Sequence, residues 1–120
     1  MDARTRNRRD EPEDADAYQD CIPIKVTKGA GGARSVLERR EDLRGLTNRE
    51  IVQRALGKLG ASDSFAQDAA YALENRHFSL ELEVSGAQSH WVDRDAPLDE
   101  TVLAQQGLHY AFKQDHVGGL

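Results

Sequence analysis

The sequence has a single cysteine, Cys21, in 120 residues, so no internal disulfide can staple it, and a reducing compartment is the expectation. No apolar run reaches the roughly 18 residues that a membrane-spanning helix needs, and the N-terminus lacks the apolar stretch of a signal peptide. A soluble cytoplasmic protein without a membrane partner is therefore expected. Basic residues are also in deficit, 16 against 21 acids for a formal charge of -5. Phosphate binding needs a basic face, so this balance argues against nucleic acid as the main partner. Lysine is scarce: Lys25, Lys28, Lys58 and Lys113 stand beside twelve arginines, leaving few surface amines as acceptors.

What is present divides the chain into three expected parts. Residues 1–20 carry a basic block, Arg4, Arg6, Arg8 and Arg9, and then an acidic one, Asp10, Glu11, Glu13, Asp14 and Asp16. Almost no large apolar residue stands among them, so burial cannot offset their ordering entropy and a disordered arm is expected. Residues 21–113 hold the apolar patterning of one domain, and residues 114–120 form a thin tail.

Within the domain, Ile22, Ile24 and Val26 alternate with Pro23, Lys25 and Thr27, the period of a strand with one buried face. Pro23 has no amide hydrogen, so the strand's start should be unpaired on one side. A glycine-rich loop over residues 29–32 leads to a second strand over 34–39, with Val36 and Leu37 as its apolar surface. Thr47 and Glu50 form a capping box for a helix over 48–59. Its stripe is Ile51, Val52, Ala55, Leu56 and Leu59, and Gly60 closes it. Ser64 with Gln67 predicts one or two further helical turns, and residues 71–74 read as a short strand. Phe78, Leu80, Leu82 and Val84 alternate strongly, Ser85-Gly86 turns the chain, and a short strand surrounds Trp91. A helical turn over 101–106, with Leu98, Val102 and Leu103 inward, precedes a last strand of Leu108, Tyr110 and Phe112. Trp91, Tyr110 and Phe112 are expected in the core.

The economical packing is α+β, a mixed sheet over one main helix with the first and last strands side by side at its centre. This element order resembles the ubiquitin-like β-grasp superfamily from Ile22 onward. Residues 97–108, Pro-Leu-Asp-Glu-Thr-Val-Leu-Ala-Gln-Gln-Gly-Leu, look like the loop and helical turn before the final ubiquitin strand. Residues 71–74, Tyr-Ala-Leu-Glu, with residues 91–98 downstream, are similar to Ras-association and FERM ubiquitin-like lobes. The departure is residues 75–88, longer than ubiquitin has there, which suggests an added hairpin arm.

After the last strand come Gln114-Asp-His-Val-Gly-Gly-Leu120, resembling the flexible Gly-Gly tails of ubiquitin-like modifiers. Fully extended, seven residues reach roughly 23–25 Å, and Gly118 and Gly119 can thread a narrow slot because they carry no side chain. The resemblance implies a modifier that supplies a carbonyl carbon and is not itself an enzyme. It implies an E1-like adenylating enzyme, an E2-like conjugating enzyme, a processing or deconjugating peptidase and a target protein as partners. No cofactor is implied, and the free protein is expected to be a monomer. Leu120 follows the glycines, so either a peptidase removes it to expose Gly119 or Leu120 is itself the reacting end. Single-domain bacterial modifiers of this kind resemble this chain, and several act in defence against phage. His116 and Val117, beside the glycines, are candidate partner contacts.

Two other readings use the same fold. A Ras-association or FERM-lobe-like module would bind without covalent chemistry, by strand addition at the second strand. Arg34, Arg39, Arg40 and Arg44 lie there, with Arg39 and Arg40 as candidate contacts. A sulfur carrier would hold a thiocarboxylate on Gly119. The remaining constellations read as structural. Cys21 has no basic partner placed near it, and His90, Asp93 and Asp95 lack a fourth metal ligand. The glycines of 29–32 lack the Lys-Ser/Thr pair of a phosphate loop, and His77 and His109 read as surface or sheet-edge residues. No catalytic set and no metal site are expected.

Overall fold

Strand alternation in the sequence becomes a sheet with one buried and one open face. The computed structural model describes residues 20–29, 32–84 and 88–114. Strand β1 (Cys21–Lys28) buries Ile22, Ile24 and Val26 and leaves Pro23 and Lys25 exposed. Strand β2 (Ala33–Arg39) pairs with it antiparallel, Pro23 opposite Leu37. On β1's other side the ladder begins only at Ile24, so the missing amide of Pro23 falls outside it, as its chemistry requires. Strands β3 (Phe78–Val84), β4 (His90–Trp91) and β5 (Leu108–Gln114) complete a five-stranded mixed sheet of order β2-β1-β5-β3-β4. The first and last strands are central and parallel, with Val26 beside Tyr110.

The helices cover the buried face. After the single turn α1 (Arg40–Leu43), helix α2 (Asn48–Leu59) begins in the expected box: Thr47 accepts from the Glu50 amide while the Glu50 carboxylate accepts from the Thr47 amide. Gly60 ends it at φ +97°, a backbone that side-chain-bearing residues rarely adopt. Helix α3 (Ser64–Leu73) is a full second helix, capped by Asp63 rather than Ser64, since the Asp63 carboxylate accepts from the Ala66 amide. It includes residues 71–73, which the sequence reading had assigned to a strand. Four alanines favour helix there. Phe65, Ala66, Ala69, Ala72 and Leu73 also form one buried stripe at helical spacing. The sheet is thus packed by two helices in mutual contact, not by one.

Two further expectations are corrected. The described residues of 75–88 are not an appended arm: they contain β3, an interior strand between β5 and β4. Trp91 is not core but 65% exposed. It lies on the two-residue edge strand opposite Glu81, in the row of Thr27 and Ala111 on the face without helices. The Ser85-Gly86 turn lies outside the described residues. The last helical turn, α4 (Glu100–Leu103), is capped by Asp99 and buries Leu103.

Polar side chains lock this framework. Helix α3 ends without a glycine, and Arg94 gathers carbonyls from its end and from the segment that follows. The guanidinium donates to Leu73 O at 2.6 Å, Ala72 O at 3.2 Å, Asn75 O at 3.3 Å and Phe78 O at 2.5 Å. At the sheet centre the buried Tyr110 hydroxyl donates to Asn48 Oδ1 at 2.7 Å. Asn48 in turn donates from Nδ2 to Asp93 O at 2.9 Å and Ala96 O at 3.2 Å. One buried amide therefore ties α2, β5 and the loop before α4.

Burial pushes the Tyr110 phenol well above its ordinary value. A raised folded pKa stabilises the fold fully below the unfolded value of about 10 and is lost as pH rises beyond it. Urea unfolding should thus show stability falling above about pH 10, with Tyr110→Phe flattening that fall. At neutral pH, Tyr110→Phe should cost about 1–2 kcal/mol and Asn48→Ala about 2–3 kcal/mol, since the latter removes three hydrogen bonds and leaves the buried Tyr110 hydroxyl without its partner.

Candidate functional site

The site that the sequence singles out is the segment after the last strand, and the fold determines what surrounds its root. β5 is hydrogen-bonded on both sides, parallel to β1 and antiparallel to β3, and its last residue Gln114 pairs with Phe78. The chain therefore leaves the domain from the middle of the sheet, not from an edge. His116, Val117, Gly118, Gly119 and Leu120 lie outside the described residues, as do residues 1–19.

The other two candidate contacts, Arg39 and Arg40, stand at the opposite end of the sheet. Arg39 pairs with Cys21, at the start of β1, whereas Gln114 ends the strand parallel to it. Nine residues of strand register, at about 3.3 Å each, separate the two levels by roughly 30 Å. Arg39 is exposed and pairs with Glu41 at 3.2 Å. Arg40 turns inward: its Nη1 donates to Cys21 O at 2.8 Å, its Nε to Leu103 O at 3.1 Å and its Nη2 to Gln105 O at 2.7 Å. That guanidinium joins the start of β1 to the turn that feeds β5.

The edge beside them is guarded. Ladder bonds from Arg40 N–H to Asp20 O at 2.8 Å and from Lys28 N–H to Gly32 O at 3.4 Å fix which β2 residues face β1. By alternation, Ala33, Ser35, Leu37 and Arg39 then turn amide and carbonyl outward. Two of those carbonyls are occupied: Lys58 Nζ donates to Leu37 O at 2.7 Å and Arg34 Nη1 to Ala33 O at 3.2 Å. Charged side chains that cover an edge in this way hinder strand addition.

The remaining constellations resolve into structural roles. Cys21 is half-buried and free. Asp93 Oδ1 accepts from the Asp95 amide at 2.8 Å, and the Asp95 carboxylate accepts from Arg49 Nε at 3.0 Å. Hydrogen bonds to Asp95 and then to Glu74 hold the Arg49 guanidinium above its ordinary value. The amide of Thr101, then its hydroxyl, holds the Asp99 carboxyl below its own. Among the described residues no three His, Cys, Asp or Glu side chains converge on a metal position. His109 is not at an edge: on the open face its imidazole lies between Thr27 Oγ1 at 3.0 Å and Glu83 Oε1 at 3.5 Å. Among the described residues no helix is long and apolar enough to cross a membrane.

Sequence reasoning missed Arg94, Asn48 and the inward role of Arg40. No local pattern signals these roles, because each of the three side chains reaches carbonyls or a hydroxyl far away in sequence.

No protein-family model matches the chain, and no curated protein matches it. Among solved structures, it is similar to one containing the coiled-coil, RA and PH domains of Lamellipodin. The identity is 15% and the TM-score 0.40, covering 88% of this chain and 36% of that one. It is also similar to an exotoxin 6 from Staphylococcus aureus, at 14% identity and TM-score 0.36, covering 78% of this chain and 49% of that one. The chain spans half or less of each neighbour's length, and likenesses this distant carry no argument about its activity.

Arg40→Glu should lower stability by about 2–3 kcal/mol through three carbonyls left without their donor. Arg39→Glu should stay within about 0.5 kcal/mol of the parent. Urea midpoints of the two variants check this, and equal losses would overturn the assignment.

Proposed function

We propose that the chain is a ubiquitin-like β-grasp protein modifier, acted upon by enzymes rather than being one. The reading is supported by the strand order β2-β1-β5-β3-β4, with a parallel central pair and a capped helix after the first hairpin. The observation that carries it is positional. The central strand ends at Gln114, and Gly118-Gly119 follow four positions later in the sequence.

In this reading a peptidase removes whatever follows Gly119. The Gly119 carboxylate attacks the α-phosphorus of ATP on an E1-like enzyme, releasing pyrophosphate and leaving an acyl-adenylate. A partner cysteine thiolate displaces AMP to form a thioester, which passes to an E2-like enzyme, and a target amine then displaces the thiolate to form an amide. The domain contributes the acyl group and a recognition surface. A bacterial setting and a role in defence against phage come with the resemblance and belong to the same proposal, as do a cytoplasmic location and a monomeric free state.

The alternative of a strand-adding binding module is disfavoured by the occupied carbonyls of Ala33 and Leu37 on the β2 edge. A sulfur carrier shares the activation chemistry and differs in product, a thiocarboxylate on Gly119.

Co-expression with the products of the neighbouring genes, followed by mass spectrometry, tests the proposal. Adducts should join through the Gly119 carbonyl. Gly119→Ala, or deletion of residues 118–120, should abolish them. Adducts that persist at full yield after the deletion overturn it, and a sulfur-for-oxygen exchange on Gly119 would favour the carrier.

A further inference from the structure

The helix-free face of the sheet carries a row whose end charges cannot reach one another. Lys25 in β1, His109 in β5 and Glu83 in β3 are level in register, and all three stand on this open face. β5 lies between the lysine and the glutamate, so two strand spacings, about 10 Å, hold them apart within one chain. Among the described residues Lys25 forms no ion pair. The Glu83 carboxylate stands 3.5 Å from His109 Nδ1, half exposed and open to a further cation. With Pro23 and Gly107 these three residues line an open recess of about 250 Å³.

The next row on the same face repeats the asymmetry in size. From β2 to β4 it reads Ala33, Thr27, Ala111, Glu81 and Trp91. The ring of Trp91, 65% exposed, ends the row on one side, and the small side chain of Ala33 ends it on the other. Exposed tryptophan is a residue type enriched where proteins meet.

A face of this kind is complementary to itself. A second copy turned by 180° about an axis along β5, and laid against the face, keeps each row level and exchanges its ends. Lys25 then meets Glu83 of the second copy, and Glu83 meets its Lys25, the reciprocal contact that a two-fold interface requires. Thr27 likewise meets Glu81, and Trp91 meets Ala33, large against small. His109 and Ala111, on the axis, meet their own counterparts. Lys113 also belongs to β5 but stands near its end, where a long side chain reaches solvent.

We infer that this face is a self-association surface, occupied by a second copy of the chain in that two-fold arrangement. Charge complementarity selects the occupant: it must present an acid and a base about 10 Å apart in the reverse order, and the chain itself does so. Five strands, each about seven residues long at most, cover roughly 20 Å by 20 Å, so two copies bury on the order of 800–1,000 Å². That lies below the roughly 1,200 Å² of lasting interfaces and in the range of weak ones. The dilute chain is thus the monomer of the proposed function, and pairing sets in as it is concentrated. The inference concerns the folded domain alone and stands whether or not adducts form.

Sedimentation of the full chain from about 10 μM to about 1 mM tests it. The mean mass should rise toward that of a dimer. Emission from Trp91, the one tryptophan in the sequence, should move to shorter wavelength as the ring is covered. Lys25→Glu and Glu83→Lys should each weaken association by about tenfold or more, because each sets like charges opposite. An equimolar mixture of the two variants should pair again, as should one chain carrying both reversals. Asp68→Lys, exposed on α3 over the opposite face of the sheet, should leave association unaltered. Amide spectra of every variant should keep the parent's spread. A chain still monomeric at about 1 mM, association indifferent to both reversals, or a loss that neither the mixture nor the double reversal repairs would overturn the inference.

Discussion

The parallel pairing of β1 with β5 at the centre of the sheet is the constraint on which the rest of the molecule depends. Parallel neighbours cannot be joined by a tight turn. The chain between Lys28 and Leu108 must therefore travel round the sheet before it returns beside β1, laying down β2 on one flank, α2 and α3 over one face and β3 and β4 on the other flank. Rows of buried side chains then cross the strands, Ile24 with Leu108 and Val84, and Val26 with Tyr110 and Leu82. Each such residue contributes about 1.5–3 kcal/mol on burial, and none can be buried until the return is complete. α2 and α3 lie together over this face because it is the one that carries the apolar side chains.

A long excursion of this kind leaves carbonyls in places where no ladder or helix reaches them, and buried polar groups need partners. The chain answers with side chains rather than with glycine turns. Arg94 gathers the carbonyls at the end of α3, and Arg40 gathers those at the start of β1 and before β5. Asn48 links Tyr110 to the 93–96 loop. Each draws together segments far apart in sequence, so these three residues act as tertiary cross-links made of hydrogen bonds. Glu38 shows the cost of the same strategy. Its carboxyl is fully buried, with Oε1 at 3.3 Å from Lys58 and 3.4 Å from Arg54, while Oε2 bonds no described residue. Removing either cation would leave a buried charge less compensated.

What could be read from the sequence was local and periodic. The alternation of β1, β3 and β5 and the Thr47–Glu50 box follow from patterns within a few residues, and the central placement of the end strands from the order of the elements. The errors arose where a local pattern was ambiguous or the decision lay elsewhere in the fold. Residues 71–74 are too few to distinguish strand from helix, and the alanines before them carry the helix through. Trp91 was placed in the core on hydrophobicity alone, yet a two-residue edge strand has nothing beyond it to cover the ring. Arg39 and Arg40 looked like one basic patch, and the alternation of the backbone sends one to solvent and the other to three carbonyls. The glycines of the tail were legible as a motif, but the flanking of the preceding strand on both sides was not, because it is set by the pairing of β5 with β1 and β3.

The two ends of the sheet consequently differ in kind. At the Leu108 end, arginines are spent on holding the turn before β5 and on acids such as Glu41. At the Gln114 end, Lys28 lies over the Phe78 ring on the helix-covered face, and Lys113 stands opposite Ser79 on the open one. A strand that stops in the middle of a sheet is flanked by both neighbours. Any protein that grips the chain emerging there must also meet the ends of β1 and β3, where Lys28, Arg76 and His77 stand. An edge strand would impose no such encounter. In the proposed reading, a partner that acts on Gly118-Gly119 would therefore have this end of the folded domain before it as well.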